Sequence, residues 1–507
     1  MTTLTHAGDT LTRNALAVLQ PGFDGTTAVP DWVRHRIGEG LASVSLFGRN
    51  VHSAEQVAAL TAQLRAERDD LLIAIDEESG DVTRLEVRTG SSYPGNHALG
   101  AVDDPALTRA VAADLGRRLA ACGINFNWAP SADVNANPDN PVIGVRSFGS
   151  DPGLVARHTA AYVEGMQSAG VATSAKHFPG HGDTAIDSHH SVPVIDVDRD
   201  VLNSRDLAPF RAAIAAGTRA VMSAHVLAPA LDPDHPGTLS RRILTGLLRE
   251  EFGYEGLIVT DGMDMQAIAG TYGFERGCVL AIAAGADAIC TGGGPSDEGT
   301  VLRLRDAFIA AVRSGELPEE RLAEAADRVR ALAGWATASA GRGAAGAGLA
   351  AGVPGGMPDT GIGLVAARRA LTVTRGETYA APVSEAPYVA TFSPLPNIAV
   401  GDETPWGVTA ELTARFPGTA SGTFSGDGAG AEALAAAGER RIVAVVRDAH
   451  RHGWMADALT TLVTARPDTV VVEMGVPQSA PVGAIHIATR GAARVCGEAA
   501  AEALTGA

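Results

Sequence analysis

The chain has 507 residues, 46% of them hydrophobic and 19% charged, a composition that excludes disorder throughout and a length that exceeds one compact core. Its 40 basic and 58 acidic residues leave a net charge of −18, which argues against gripping a phosphate backbone or an anionic membrane. No run approaches the ~18 continuous apolar residues of a membrane span, and Met1–Phe23 lacks a basic segment followed by a long apolar one. The expectation is a cytoplasmic protein that acts on a small soluble molecule, with neither nucleic acid nor membrane as partner.

Short apolar, β-branched runs recur through the first three hundred residues: Ala15–Gln20, Ala42–Phe47, Leu71–Asp76, Ile124–Pro130, Val171–Lys176, Ala220–His225, Leu257–Asp261 and Ala286–Gly292. Between them, Ser53–Arg68, Asp104–Cys122, Asp151–Ala169 and Leu207–Ala216 carry apolar residues at intervals of three and four, the helical period. Eight strands alternating with helices predict a (β/α)8 TIM-like barrel over residues 1–338, closed by a helix at Pro318–Ala333. The second and third runs lack strict alternation, as strands covered on both faces should.

Residues 339–356 are rich in Gly and Ala and read as a linker. Beyond them, 357–507 shows a second pattern, with strands at Arg441–Val446, Thr469–Glu473 and Ala484–Thr489 and a helix at Ala492–Leu504. A smaller α/β sandwich domain without a catalytic cluster is expected there. The four cysteines are scattered without a CxxC pair, and Cys122, Cys278 and Cys290 read as buried free thiols.

In a barrel, the loops after the strands' carboxyl ends form the active face. Asp76, Asp133, Lys176, His177, His225 and Asp261 all end or closely follow predicted strands. The densest polar segment, Lys176–His190 (KHFPGHGDTAIDSHH), holds four His, two Asp and one Lys. His177 and His181 are four residues apart, but Pro179, Gly180 and Gly182 argue against the helix that would put them on one metal-binding face. No metal and no cofactor are therefore expected. Asp187 stands two residues from His189, close enough to fix the imidazole tautomer for proton transfer. No Gly-x-Ser-x-Gly elbow precedes a helix, so the nucleophile on offer is a carboxylate on another rim. Asp261 ends the strand Leu257–Thr260, whereas Asp264 suits a helix N-cap. His225 is equally readable as a rim brace or a ligand.

These residues resemble glycoside hydrolase family 3, within it the β-N-acetylglucosaminidase branch. Asp76–Arg84 (DEESGDVTR) is similar to that branch's Asp-x-Glu-Gly-Gly-Arg-Val-x-Arg segment, and Lys176–His189 matches its Lys-His-Phe-Pro-Gly-His-Gly-Asp-Thr-x-x-Asp-Ser-His signature at every defined position. Arg146-Ser147-Phe148-Gly149, Ala224-His225-Val226 and Val259-Thr260-Asp261 follow in the family's order. The resemblance covers Ala15 to about Ala333, fades over the second domain and returns at Ile487–Leu504. Three positions depart from the pattern: Ser79 for Gly, Asp81 for Arg, and Gly262 where Asp or Ala is common. The change at 81 removes a positive charge expected near the rim, where it would bear on aglycone or substrate-charge preference.

The resemblance implies a retaining exo-β-N-acetylglucosaminidase in which Asp261 is the nucleophile, His189 the acid/base and Asp187 the residue that orients it. It also implies that Asp76, Arg84, Arg146, Lys176, His177 and His181 hold the terminal sugar, with loop bracing an alternative role for His181 and the preferred one for Asp183. Terminal N-acetylglucosamine on short chito-oligosaccharides or cell-wall fragments is the implied substrate. A neutral imidazole repels anions less than the usual second carboxylate, so a β-N-acetylglucosaminide phosphorylase stays open as an alternative. A broad-specificity β-glucosidase also stays open. The oligomeric state is not legible.

Overall fold

The computed structural model describes residues 2–186, 192–294, 297–345, 360–376, 382–394, 400 and 403–506. The chain forms two compact units, one of residues 1–77, 108–134 and 150–358, the other of 78–107, 135–149 and 359–507. The units thus do not follow a single cut in the chain. The stretches after the third and fourth strands are grouped with the C-terminal region.

The first unit holds eight parallel strands: β1 (Leu19–Gln20), β2 (Ser43–Leu46), β3 (Leu72–Ile75), β4 (Phe126–Asn127), β5 (Ala172–Phe178), β6 (Ala220–Ser223), β7 (Leu257–Thr260) and β8 (Ile289–Cys290). Strands β2 to β7 pair in chain order, and β1 pairs with β8. A bridge between Val259 and Ala288 joins β7 to β8, and Ser45 N–H donates to the Pro21 carbonyl (2.9 Å) to join β1 to β2. The sheet therefore closes into the expected (β/α)8 barrel. Every residue in these strands is buried; β3 (LIAI) is apolar without alternation, as expected, whereas β2 (SVSL) alternates, its Ser43 and Ser45 being as buried as its Val44 and Leu46.

The helices Ala54–Glu67 and Pro152–Ser168 start where side chains satisfy their first amides: Ser53 Oγ accepts from Gln56 N–H (3.2 Å) and Asp151 Oδ1 from Leu154 N–H (2.6 Å). Two expectations need correction. Ala15–Ala17 end the first helix, Thr2–Ala17, so only the last part of the first apolar run is strand. The final barrel helix, Glu319–Ala345, continues past Ala333 into the Gly/Ala-rich segment, because alanine favours helix over linker. Residues 346–359 lie outside the described residues.

At the amino end of the barrel, the fully buried Asp287 accepts from Ile258 N–H (2.9 Å) and pairs with Arg249, Arg321 (2.6 Å) and Arg328 (3.3 Å). All four cysteines are free and buried.

The second unit is built on β9 (Thr372–Arg375), β10 (Tyr388–Phe392), β11 (Ala420–Phe424), β12 (Ile442–Val446), β13 (Val470–Glu473) and β14 (Ile485–Ala488). Their order is β11-β10-β12-β13-β14-β9, parallel except for β9, which lies antiparallel at the edge. Val443, Val445, Val470 and Val472 face one layer, with the helices Ile362–Ala370 and Arg494–Thr505. Ile442, Ala444, Val446 and Val471 face the other, with Ala429–Ala437 and Gly453–Ala465. The five parallel strands follow the doubly wound order 2-1-3-4-5. Three of the six strands (β12, β13 and β14) were expected from the sequence; β9, β10 and β11 are additional.

Candidate active site

Five strands of the first unit carry polar residues to their carboxyl ends. Asp76 follows β3 and accepts a hydrogen bond from Lys176 Nζ on β5 (2.5 Å), the lysine side chain being 3% exposed. A buried ammonium needs such a partner, and the pair leaves a carboxylate and an ammonium side by side at the mouth.

Asp133, six residues after the end of β4, is wholly buried and organises the segment after Lys176. Its Oδ1 accepts the main-chain N–H groups of His177 (3.2 Å) and His181 (2.7 Å), and its Oδ2 accepts Ser131 Oγ (3.1 Å) and His177 Nδ1 (2.7 Å). A carboxylate only accepts, so Nδ1 of His177 carries the proton. Burial drives the Asp133 carboxyl up, but the charge and hydrogen bonds of His177 and the charge of His181 outweigh it and hold the carboxyl below its ordinary value.

His181 Nδ1 meets Thr184 Oγ1 (2.9 Å), whose hydroxyl donates to the His181 carbonyl (3.1 Å). Burial, with His177 beside it, pushes the His181 imidazole down to about 4, against the opposing pull of Asp133. The ring is therefore neutral at ordinary pH. Asp183 pairs with Arg205 (2.8 Å), which also meets the buried Asp206 (3.0 Å). Gly180, at φ +129°, crosses directly over Asp206, where a Cβ would approach the Asp206 Cβ to 2.9 Å. Burial raises the Asp206 carboxyl to about 6 despite Arg205.

Asp261 follows β7. Its N–H donates to the Ser223 carbonyl (3.2 Å), and its Oδ1 accepts from Gly262 N–H (2.7 Å). His225 is fully buried, and its Nε2–H donates to the Gly262 carbonyl (2.9 Å) while its Nδ1 accepts from the Thr238 hydroxyl (2.8 Å). Both ring nitrogens are used on protein groups, so of the two open readings this histidine is the brace of the turn behind Asp261. Asp264 is not the helix cap expected of it. Met265 occupies that position, and Asp264 Oδ2 instead accepts Gly294 N–H (2.8 Å). A Cβ on Gly292 would lie 1.6 Å from the Asp264 carboxylate, so only glycine fits beside it.

The remaining sugar-binding candidates, Arg84 and Arg146, belong to the second unit, with Arg84 partly exposed and Arg146 buried. Arg146 makes a two-pronged pair with Glu78, Nε to Oε2 (3.0 Å) and Nη2 to Oε1 (2.6 Å). Asp81 corrects an expectation: it is buried and paired with Arg447, so its charge is neutralised inside the second unit rather than presented at a rim. Asp187 and His189 lie outside the described residues. Asp133 was expected at the rim but given no role, and Glu78 was not among the expected site residues. The signal for Asp133 was its rim position after the fourth strand, and Glu78 lies inside the Asp76–Arg84 motif.

Among the described residues no group of three or more His, Cys, Asp or Glu is arranged to hold a metal ion, and no helix is long and apolar enough to cross a membrane. The arrangement offers a partly exposed carboxylate at the mouth, Asp261, near polar residues suited to neutral hydroxyl-rich ligands.

The glycosyl hydrolase family 3 N-terminal domain matches the chain over residues 18–332. The chain is 42% identical to Beta-hexosaminidase A of Pseudoalteromonas piscicida over 246 residues, 44% of this chain and 41% of that protein. It is 36% identical to the Beta-hexosaminidase of Chromobacterium violaceum over 330 residues, 63% of this chain and 89% of that protein. Among solved structures, a glycoside hydrolase family 3 β-N-acetylglucosaminidase from Paenibacillus sp. str. FPU-7 superposes with a TM-score of 0.86 at 35% identity, covering 98% of this chain and 96% of that one. The closed barrel, the polar residues at its carboxyl rim and a domain match spanning all eight barrel strands agree: the chain belongs to glycoside hydrolase family 3.

Proposed function

We propose that the chain is a retaining exo-β-N-acetylglucosaminidase that releases terminal N-acetylglucosamine from short soluble chito-oligosaccharides or cell-wall fragments. The observation that supports this reading most is Asp261, a partly exposed carboxylate at the end of β7 whose main-chain N–H is held by Ser223 and whose neighbour Gly262 is held by His225. A nucleophile must be preorganised in this way, because movement on attack costs rate. Similarity to proteins named β-hexosaminidase and β-N-acetylglucosaminidase supports the sugar class.

In this reading the Asp261 carboxylate attacks the anomeric carbon as the glycosidic bond breaks, and the leaving oxygen takes a proton from the His189 imidazolium. The neutral His189, oriented by Asp187, then takes a proton from water as that water displaces Asp261 and releases the sugar with net retention. Asp76, Lys176, His177, His181, Arg84 and Arg146 hold the terminal sugar. Asp76 accepts from hydroxyls and the cations donate, while Asp133 fixes the orientation of His177. His181, tied to Asp133 and Thr184, also braces the loop.

Turnover of 4-nitrophenyl N-acetyl-β-glucosaminide, with and without phosphate and against the 4-nitrophenyl β-glucoside, tests the reading. Preference for the acetamido sugar without phosphate dependence is expected. Phosphate acceleration with a sugar 1-phosphate product, or preference for the glucoside, overturns it.

A further inference from the structure

The turn after β3 departs from the family pattern it resembles by carrying Asp81 where an Arg is usual, and the second unit accounts for the reversal. Asp81 is 6% exposed. Its Oδ1 accepts the Ala492 main-chain N–H (2.7 Å), and its Oδ2 pairs with the Arg447 guanidinium. Arg447 directly follows β12, and its guanidinium lies 5.9 Å from the Trp406 ring centroid. Ala492 stands just before the helix Arg494–Thr505. The carboxyl end of a doubly wound sheet is where such folds ordinarily receive a ligand. Here a cation and an amide from that unit receive a carboxylate of the chain itself.

The segment so held is compact. Glu78 N–H donates to the Val82 carbonyl (3.1 Å), and Ser79 and Gly80 both adopt left-handed backbone, at φ 71° and 65°. A Cβ on Gly80 would meet Gly95 Cα at 2.4 Å. Asp81 therefore sits within a tight reversal, three residues after Glu78, the partner of Arg146, and three before Arg84.

We propose that Asp81 is a positioning residue for sugar binding: seated between Arg447 and Ala492 N–H, its carboxylate fastens the Glu78–Arg84 turn to the C-terminal region and so sets the placement of Arg84 and, through Glu78, Arg146. The inference rests on the proposed reading of those two arginines as sugar ligands. It also explains why an arginine does not suit position 81 in this chain, since it would face Arg447.

The test uses the full chain and two readouts. In Asp81→Ala, KM for the aryl N-acetyl-β-glucosaminide rises about tenfold while kcat stays within about threefold, the pattern of lost binding rather than lost chemistry. Added acetate or formate occupies the vacated anion position and lowers KM again, whereas chloride at equal ionic strength does not. Arg447→Met raises KM similarly, and the double variant is no worse than either single one. Amide hydrogen exchange over 78–95 quickens in Asp81→Ala and slows with acetate, a readout that needs no activity. If Asp81→Ala folds poorly, Asp81→Asn, which keeps an acceptor for Ala492, shows a smaller rise in KM and faster exchange. Parent-like exchange and KM in the variants overturn the proposal, as does a fall in kcat at constant KM. If the parent turns over no N-acetylglucosaminide, the functional reading fails, and the exchange response alone decides whether Asp81 anchors the turn.

Discussion

His181 shows how the Lys176-to-Thr184 segment trades charge for order. Its main-chain N–H goes to Asp133, its ring N–H to Thr184, and burial holds the imidazole at about 4. The sign of the resulting pH effect follows from linkage. An unfolded histidine takes up its proton near 6.5, the folded one only near 4, so the unfolded state binds more protons as pH falls between those values and stability is lost. Above about 6.5 the group costs nothing. His181→Asn, whose amide N–H can replace the ring N–H toward Thr184, is expected to lose Tm less steeply than the parent between pH 6.5 and 4; equal slopes by thermal unfolding would remove His181 from the account. At this scale the sequence was legible where residue type in a tight motif marks the rim, as at Lys176, His177 and His181, which the structure brings together around Asp76 and Asp133. It was not legible where one residue serves several distant ones. Asp133 binds His177 and His181 from 44 and 48 residues away, and no local pattern announces that.

At the scale of elements, the barrel separates a stabilising end from a reactive one. Asp287, just before β8, balances Arg249, Arg321 and Arg328 without reaching the carboxyl rim. Removing its charge leaves three guanidinium groups around a neutral buried side chain, which costs about 3 kcal/mol or more. Asp287→Asn is therefore expected to lower Tm and the denaturant midpoint while leaving KM and kcat near parent values at temperatures where it remains folded. A change in KM without loss of stability would contradict the division of labour between the two ends. The eight barrel strands were readable because each is an apolar run bounded by turn residues. In the second unit, β12, β13 and β14 were readable on the same ground. The edge strand β9, largely exposed, and β11, with Ser and Gly in its middle, lack an apolar signature and depend on their neighbours. The Gly/Ala-rich segment was misread at its start because alanine supports both a flexible and a helical reading, and the helix preceding it extends through Ala345.

At the scale of the molecule, the C-terminal region is packed with two stretches that leave the barrel strands and return to them. Besides Asp81 with Arg447 and Ala492, Arg494 donates to Ser92 Oγ (2.7 Å) and Arg369 pairs with Asp104 (2.9 Å). Truncation after Gly346 removes these partners together. The expected result is a chain that retains helical circular dichroism but loses at least about a hundredfold in kcat/KM, because misplaced ligands forfeit positioning. Parent-like kcat/KM in the truncated chain would confine the region to stability or assembly. This shared unit was invisible in the sequence, since composition shifts mark a boundary at the linker and say nothing of loops that pack across it.

The central claim is that Asp261 forms a covalent bond to the sugar, and trapping tests it most directly. Incubation with a 5-fluoro-N-acetylglucosaminyl fluoride, which slows breakdown of a glycosyl-enzyme more than its formation, is predicted to inactivate the protein and add one sugar residue to its intact mass. Peptide mapping is predicted to find that sugar on Asp261, and Asp261→Ala, with thermal stability near that of the parent, is predicted to show neither label nor turnover. Label on a different carboxylate, or turnover persisting in Asp261→Ala, would contradict the account.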